Sequence, residues 1–488
     1  MRIAFTLINR RLLLDVLYVI ALGVYIVAGV PLTPFHGDEP MQVYMSGDYF
    51  TGVIDGRWSE LVTAPPYEID SAAHLRLING TVNRYAIGAA WQIAGYTPND
   101  LPPRPGWDWG LNYQQNVETN HRPVEGALNA ARLPSALFTA LSVGVIFLLV
   151  RQMSGRPAAY VAAAVYALNP ALLVNGRRAL QEGSMLFFGV LTVSIAAWMS
   201  LRERIPLWAW GALIISAVLT LASKHSAVVF IAAAWLWLAV ASVFPPARKP
   251  SRFDWSKLFV PPSTPRPPSP TQAGRRDLGV RGTDANDQSS SAQPLPHQNT
   301  SNTRRILERL AVLIVSAVIV VAGFVVLSPA LWNDPPARVV NLLEERSKLL
   351  DIQTSIDPLA PMSLTERIAA LVVQPASAPT MFYELASWAE IEPIRAEIEL
   401  YTASIWAGYG QGIGVVVTIA AGAGLIVALW RWRWYSGVIL WFGISAGSLL
   451  LNPLPWQRYY LPLIPVLAVL VGVLIGDINR KERRGKMQ

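Results

Sequence analysis

The sequence predicts an all-α integral membrane protein with about ten transmembrane helices and two long loops on one face. Three observations carry that expectation. Of 488 residues, 52% are hydrophobic and only 15% charged, against about 25% charged in an average soluble domain. Apolar runs of the ~20 residues needed to cross a bilayer recur from end to end. The Lys and Arg residues between those runs are distributed one-sidedly, as cytoplasmic loops are. No cysteine is present, so disulfides, thiolate metal sites and cysteine nucleophiles are excluded. The net charge of +8 is explained by cytoplasmic loops and does not call for nucleic acid.

The apolar runs place spans at roughly 12–31, 129–150, 157–174, 184–200, 207–222, 226–244, 310–331, 410–430, 435–451 and 459–477. The first follows an Arg-Arg pair, is too long for a signal-peptide core and lacks a cleavage site, so it reads as a retained span. With a cytoplasmic N-terminus, the inner loops and tails hold 25 of the 40 Lys and Arg residues, and an even number of spans returns the C-terminus to the cytoplasm. A plasma membrane is the expected location.

Three regions follow. Residues 1–244 form a six-span module whose first outer loop is 32–128. Residues 245–304, rich in Pro, Ser, Gln and Asn, read as a disordered cytoplasmic linker that buries too little surface to offset its ordering entropy. Residues 305–488 form a four-span module with a second outer loop at 332–409. Both loops are expected to carry amphipathic helices, at "HLRLINGTVNRYAIGAAWQIAGY", "PARVVNLLEERSKLLDI" and "SLTERIAALVV". Long ordered loops of this kind are usually functional. The Asn-Gly-Thr at 79–81 matches a glycosylation acceptor, a tripeptide too common to carry weight.

Ionisable groups near hydrocarbon are costly, so their placement is informative. They gather at the outer ends of the spans: His36, Asp38 and Glu39 in "TPFHGDEPMQVY"; Arg177, Arg178 and Glu182; Lys224 and His225; Asp334; and Arg458, Tyr459 and Tyr460. Each has a bland reading. Asp38 and Glu39 suit the start of an interfacial helix, with Pro40 at a first-turn position. Arg177 and Arg178 suit headgroup snorkelling, and Arg458 suits an interfacial anchor beside Trp456 and Tyr459. His225 reads as a satisfied polar residue. Lys224, set between two apolar runs joined almost without a turn, has the least reason to be there without a function.

Carboxylates and cations at one membrane edge suit sugar transfer from a lipid phosphate. A buried Asp accepts the proton of an acceptor hydroxyl, and Arg and Lys stabilise a phosphate as negative charge builds on it. No second carboxylic acid is needed, unlike glycoside hydrolysis. No cofactor is required. His36 beside Asp38 and Glu39 has the ligand types of a divalent metal site, but too few ligands and no metal-site spacing.

These residues resemble those of the GT-C class of polytopic glycosyltransferases, in the protein O-mannosyltransferase and aminoarabinose-transferase-like branch. The resemblance rests on "GDE" at the start of the first outer loop, the block "ARLPSALFTALSVGVIFLLVRQMSGRPAAYVAAAVYALNPALLVNGRRALQEGSMLFF", a Lys after the fifth span, and the ending "QRYYLPLIPVLAVLVG". It implies a GT-C fold and a polyprenyl-phosphate sugar donor reached from the bilayer, with mannose as the leading sugar. It also implies inverting transfer to an acceptor (protein, lipid or glycan) on the outer face. Asp38 would be the base with Glu39 its neighbour. Arg177, Arg178, Lys224, Arg458 and Tyr459 would serve the phosphate, and Glu182 would position one of them or contact sugar. The competing functions are a transporter or flippase of lipid-linked sugars and a scaffolding subunit. A transporter predicts polar groups at the bilayer midplane and repeated halves, whereas here the charges crowd one edge.

Overall fold

The computed structural model describes residues 2–103, 106–108, 110–244 and 298–485. Most of the linker expected at 245–304 therefore lies outside the described residues, and 298–304 belong to the helix that follows. Among the described residues there is no strand.

All ten apolar segments are helical. They are α1 (Arg2–Ala28), α5 (Glu125–Ser154), α6 (Arg156–Ala167) with α7 (Pro170–Arg177), α8 (Glu182–Ser200), α9 (Leu207–Ser223), α10 (Val228–Val243), α11 (Gln298–Leu327), α15 (Gln411–Trp430), α16 (Trp432–Leu450) and α17 (Leu463–Gly485). The first long loop holds α2 (Asp38–Met45), α3 (Ala72–Ile78) and α4 (Thr81–Ile93). The second holds α12 (Pro335–Ile356), α13 (Leu364–Val373) and α14 (Glu392–Ala403). The amphipathic segments read from the sequence coincide with α3, α4, α12 and α13.

The span count is where structure and expectation part. Seven described helices are long and apolar enough to cross a membrane, or eight if α6 and α7 form one broken span. The segment expected as one span at 157–174 bends by 60° between α6 and α7. The cause is the Asn-Pro dipeptide. Pro170 has no N–H to continue the helix, and Asn169 caps the new one by accepting from Leu172 N at 2.9 Å. The Asn169 amide then donates to the Pro375 carbonyl at 2.7 Å and the Tyr409 hydroxyl at 2.8 Å. The break is thereby stitched to the second loop. The helix α9, at 17 residues, is apolar but short.

The core is a bundle in which α8 packs on α5, α9 and α10, while α17 sits against α15, α6 and α5. Small residues permit these close approaches. One face of α6 is Ala158, Ala159, Ala162 and Ala163, all buried. At α8, Gly183 lies so near α5 that a Cβ there would stand 2.2 Å from the Ser135 carbonyl oxygen. That contact seats the first turn of α8, and with it Glu182. At the opposite end of the bundle, buried Asp15 of α1 pairs with Arg151 and Arg156, each at 2.5 Å.

Asn169→Ala removes a cap worth about 1 kcal/mol and leaves the buried Pro375 carbonyl without its donor, worth roughly another 1 kcal/mol. The expected outcome is a lower thermal unfolding midpoint in detergent with an unchanged helical signal by circular dichroism.

Candidate active site

The site is built where the first long loop leaves α1. The helix α2 starts at Asp38, and its first turn holds Asp38 and Glu39, where the helix dipole favours anions. Neighbours in sequence, these two carboxylates have opposite surroundings. Glu39 is fully buried. It takes a bidentate pair from Arg132 of α5, Nε to Oε1 at 2.7 Å and Nη2 to Oε2 at 2.8 Å. The backbone N–H groups of Ala179 and His36 fill the remaining positions, both at 2.9 Å. Burial pushes the Glu39 carboxyl up, but Arg132, Arg178 and the Ala179 N–H outweigh it and hold the group below its ordinary value. With every acceptor position used, Glu39 is a strut between α2, α5 and the turn before α8. The expected catalytic role does not fit that geometry.

Asp38 instead keeps 29% of its side chain exposed, and its Oδ2 accepts from Arg458 Nη1 at 2.5 Å. Arg458 lies in the Gln457–Tyr460 turn before α17, and its Nε lies 2.9 Å from Glu384 of the second loop. Glu384 Oε2 also meets His36 Nε2 at 3.0 Å. His36 Nδ1 accepts the Asp38 backbone N–H at 3.1 Å, which leaves Nε2 to donate to Glu384. Burial would raise the Glu384 carboxyl, but Arg458 and His36 hold it well below the usual carboxylate range. Burial likewise opposes the charge on Arg458, while Glu384, Asp38, Tyr459 and Glu182 keep it firmly protonated. Tyr459 stacks on Trp456 at 5.6 Å and donates to Gln353 of α12.

Beside this cluster, Lys224, at the break between α9 and α10, donates to Glu182 of α8 at 2.7 Å. His36, Asp38, Arg458 and Tyr459 thus lie together, and Glu182 with its partner Lys224 is near enough to Arg458 to feel its charge. Arg177 and Arg178 do not join them. The bend at Asn169–Pro170 aims Arg177 over the end of α1. There it donates to the carbonyls of Ile26, Tyr25 and Trp406 and to the Tyr401 hydroxyl. A Cβ at Gly29 would stand 2.3 Å from its guanidinium carbon. Arg178 is buried against the Pro34 and Phe382 carbonyls and the Tyr383 ring. Both fasten the second loop to the bundle, and the phosphate role expected of them has no free face here. Asp334 is likewise a cap, accepting from Ala337 N at the start of α12. His225 departs from expectation in the other sense: its Nδ1 is buried without a hydrogen-bond partner among the described residues.

Two groups escaped the sequence. Glu384 lies in a loop with no acidic motif around it, and only its position between His36 and Arg458 marks it. Arg346 lies within an amphipathic helix, where a basic residue reads as a solvated face. It is half-buried, donates to the Ile78 carbonyl, and has no carboxylate within ion-pair distance among the described residues. Burial and the neighbouring Arg458 hold its guanidinium below the ordinary range, with Tyr459 the one group opposing them. A carboxamide cluster, Gln181 to Asn79 at 2.8 Å with Gln42 alongside, completes the wall.

The profile of the dolichyl-phosphate-mannose-protein mannosyltransferases matches residues 106–254. No curated protein matches the chain. Among solved structures, ArnT from Cupriavidus metallidurans bound to undecaprenyl phosphate superposes with a TM-score of 0.51 at 13% identity. The match covers 94% of this chain and 59% of ArnT. The fold is GT-C. The oligosaccharyltransferase AglB from Archaeoglobus fulgidus, in complex with an inhibitory peptide and a dolichol-phosphate, aligns with a TM-score of 0.43 at 12% identity. That alignment covers 97% of this chain and 51% of AglB.

On this GT-C fold the polar residues do not make a metal cradle around His36. Both ring nitrogens are engaged, and among the described residues no group of three His, Asp or Glu side chains is arranged to hold an ion.

Glu39→Gln leaves Arg132 buried without its counter-charge, and breaking such a pair costs about 3–5 kcal/mol. A large fall in thermal midpoint is expected, while Asp38→Asn should cost much less, because Arg458 keeps Glu384 as a counter-charge. The Glu384 contribution is fully present above the unfolded carboxylate value of about 4.3 and is lost as pH falls below it. Thermal midpoints against pH should therefore drop on the acid side for wild type and less steeply for Glu384→Gln.

Proposed function

We propose that the protein is a membrane glycosyltransferase that moves a sugar from a polyprenyl-phosphate donor to an acceptor hydroxyl. The carrying observation is the contrast within one helical turn: Glu39 is locked by four hydrogen bonds, while Asp38 keeps an exposed face beside Arg458. The matched mannosyltransferase profile supports mannose as the sugar, and the undecaprenyl phosphate of the ArnT structure supports the lipid carrier.

In this reading the acceptor hydroxyl loses its proton to Asp38 as its oxygen bonds to the anomeric carbon. The bond from that carbon to the phosphate oxygen breaks, and the electron pair leaves with the polyprenyl phosphate. Arg458, Lys224 and Arg346 stabilise the departing charge, which needs no proton. Glu384 shares Arg458 with Asp38, so Arg458 can turn toward phosphate without remaining uncompensated. A single base and a single displacement give inversion. His36, held by Glu384, fixes the Asp38 backbone. Gln42, Asn79 and Gln181 offer the amide groups that sugar hydroxyls pair with. The site opens at the outer face of the plasma membrane, with both termini cytoplasmic.

The test is transfer from radiolabelled mannosyl-phosphoryl polyprenol by purified protein. Asp38→Asn is expected to lower turnover roughly 10²–10⁴-fold while donor retention stays near wild type. Wild-type turnover by the Asp38→Asn variant would sink the mechanism. No labelled product from any lipid-phosphate sugar would sink the function.

A further inference from the structure

A cavity with a largely apolar lining lies at the opposite end of the bundle from Asp38. The ends of α5, α8, α10 and α17 and the start of α16 enclose about 310 Å³, at the lower end of the ~300–1,000 Å³ usual for small-ligand sites. Trp237, Trp434 and Tyr435 line it together with the hydroxyl-bearing Ser154, Ser200 and Ser436. The charged group on its wall is Arg480, and no Asp or Glu contributes to the lining. Arg480 donates to the buried Tyr435 hydroxyl at 2.6 Å. Among the described residues, no carboxylate lies within ion-pair distance of it.

The acids near this end are already engaged. Asp477, one turn before Arg480, is held by Arg431 at 2.5 Å and Lys481 at 3.5 Å. Asp15 is held by Arg151 and Arg156. Arg480 therefore brings an unbalanced positive charge to a cavity of aromatic walls and hydroxyls. The helix α16 is interrupted at Tyr435, where φ −122° and ψ 15° depart from helical values. The break lies on the cavity wall.

We propose that this cavity binds a phosphate group, with Arg480 as its anchor. Guanidinium matches phosphate oxygens in a planar fork, Ser hydroxyls supply further donors, and basic pockets between transmembrane helices are a recurrent setting for phospholipid head groups. The aromatic walls suit the glycerol and first methylenes of an anionic lipid. A free phosphate ester would use the same polar groups and leave the aromatic walls uncovered. The site is remote from Asp38 and independent of the transfer reaction.

The experiment uses the full chain in nanodiscs of phosphatidylcholine and reads the thermal midpoint in two arms. One adds phosphatidylglycerol to the bilayer; the other adds inorganic phosphate at constant ionic strength. Wild type is expected to be stabilised in at least one arm, and which arm responds identifies the lipid or the free anion as the source. Arg480→Gln should weaken the responding ligand roughly 10- to 100-fold, the loss of a charge-assisted hydrogen bond. Arg433→Gln, an exposed cation on the neighbouring helix end outside the cavity, should keep the response. Tyr435→Phe frees Arg480 from its internal partner and should preserve or strengthen it, which separates lost binding from lost folding. Wild type that responds in neither arm, or Arg480→Gln that responds as wild type does, overturns the proposal.

Discussion

The buried pair of Glu39 and Arg132 is the constraint on which the site depends. A carboxylate with no exposure is tolerable only when each lone pair is met. The partners that meet them come from three places: α5, the turn before α8, and the backbone of His36. Glu39 thus fixes the height and rotation of α2 relative to the bundle. Asp38, one residue earlier, is carried to the mouth by the same rotation. Without that strut, its carboxylate would have no defined position relative to Arg458, which lies 420 residues later in the chain.

The charges at this edge divide by what satisfies them. Arg177 and Arg178 use their donors mainly on backbone carbonyls, which commits them to holding loops. Arg458, Lys224 and Glu182 are instead paired with charged side chains. Among the described residues, Arg346 has the Ile78 carbonyl as its hydrogen-bond partner and no carboxylate within ion-pair distance. Counting cations near a membrane edge therefore overstates the site. Their hydrogen-bond partners separate those bound to backbone from those paired with other charged side chains.

The second long loop is part of the site. Glu384 bridges His36 and Arg458. Tyr383 donates to the Phe35 carbonyl at 2.6 Å and stacks on His36. Gln457 is tied to Gln374, Pro379 and Met381. Asn169 joins the α6–α7 break to the same loop. The two halves of the chain meet at these contacts, and a cap that was only a pair of amphipathic patterns becomes a wall with defined charge.

The sequence by itself determined the helical membrane character, the ten helical segments and the clustering of ionisable groups at one end. Those properties follow from local apolar length and from the cost of charge in hydrocarbon, both of which are written along the chain. It also marked Lys224, because a lone charge between two apolar runs stands out without any fold, whereas Asp38 and Arg458 gained their roles only from the family resemblance. Only the tertiary structure decided which charges face each other. The bend at Asn169–Pro170 turned Arg177 away, Arg132 claimed Glu39, and a loop far along the chain supplied Glu384. Those outcomes depend on hydrogen-bond partners brought together over hundreds of residues, and no local pattern encodes them.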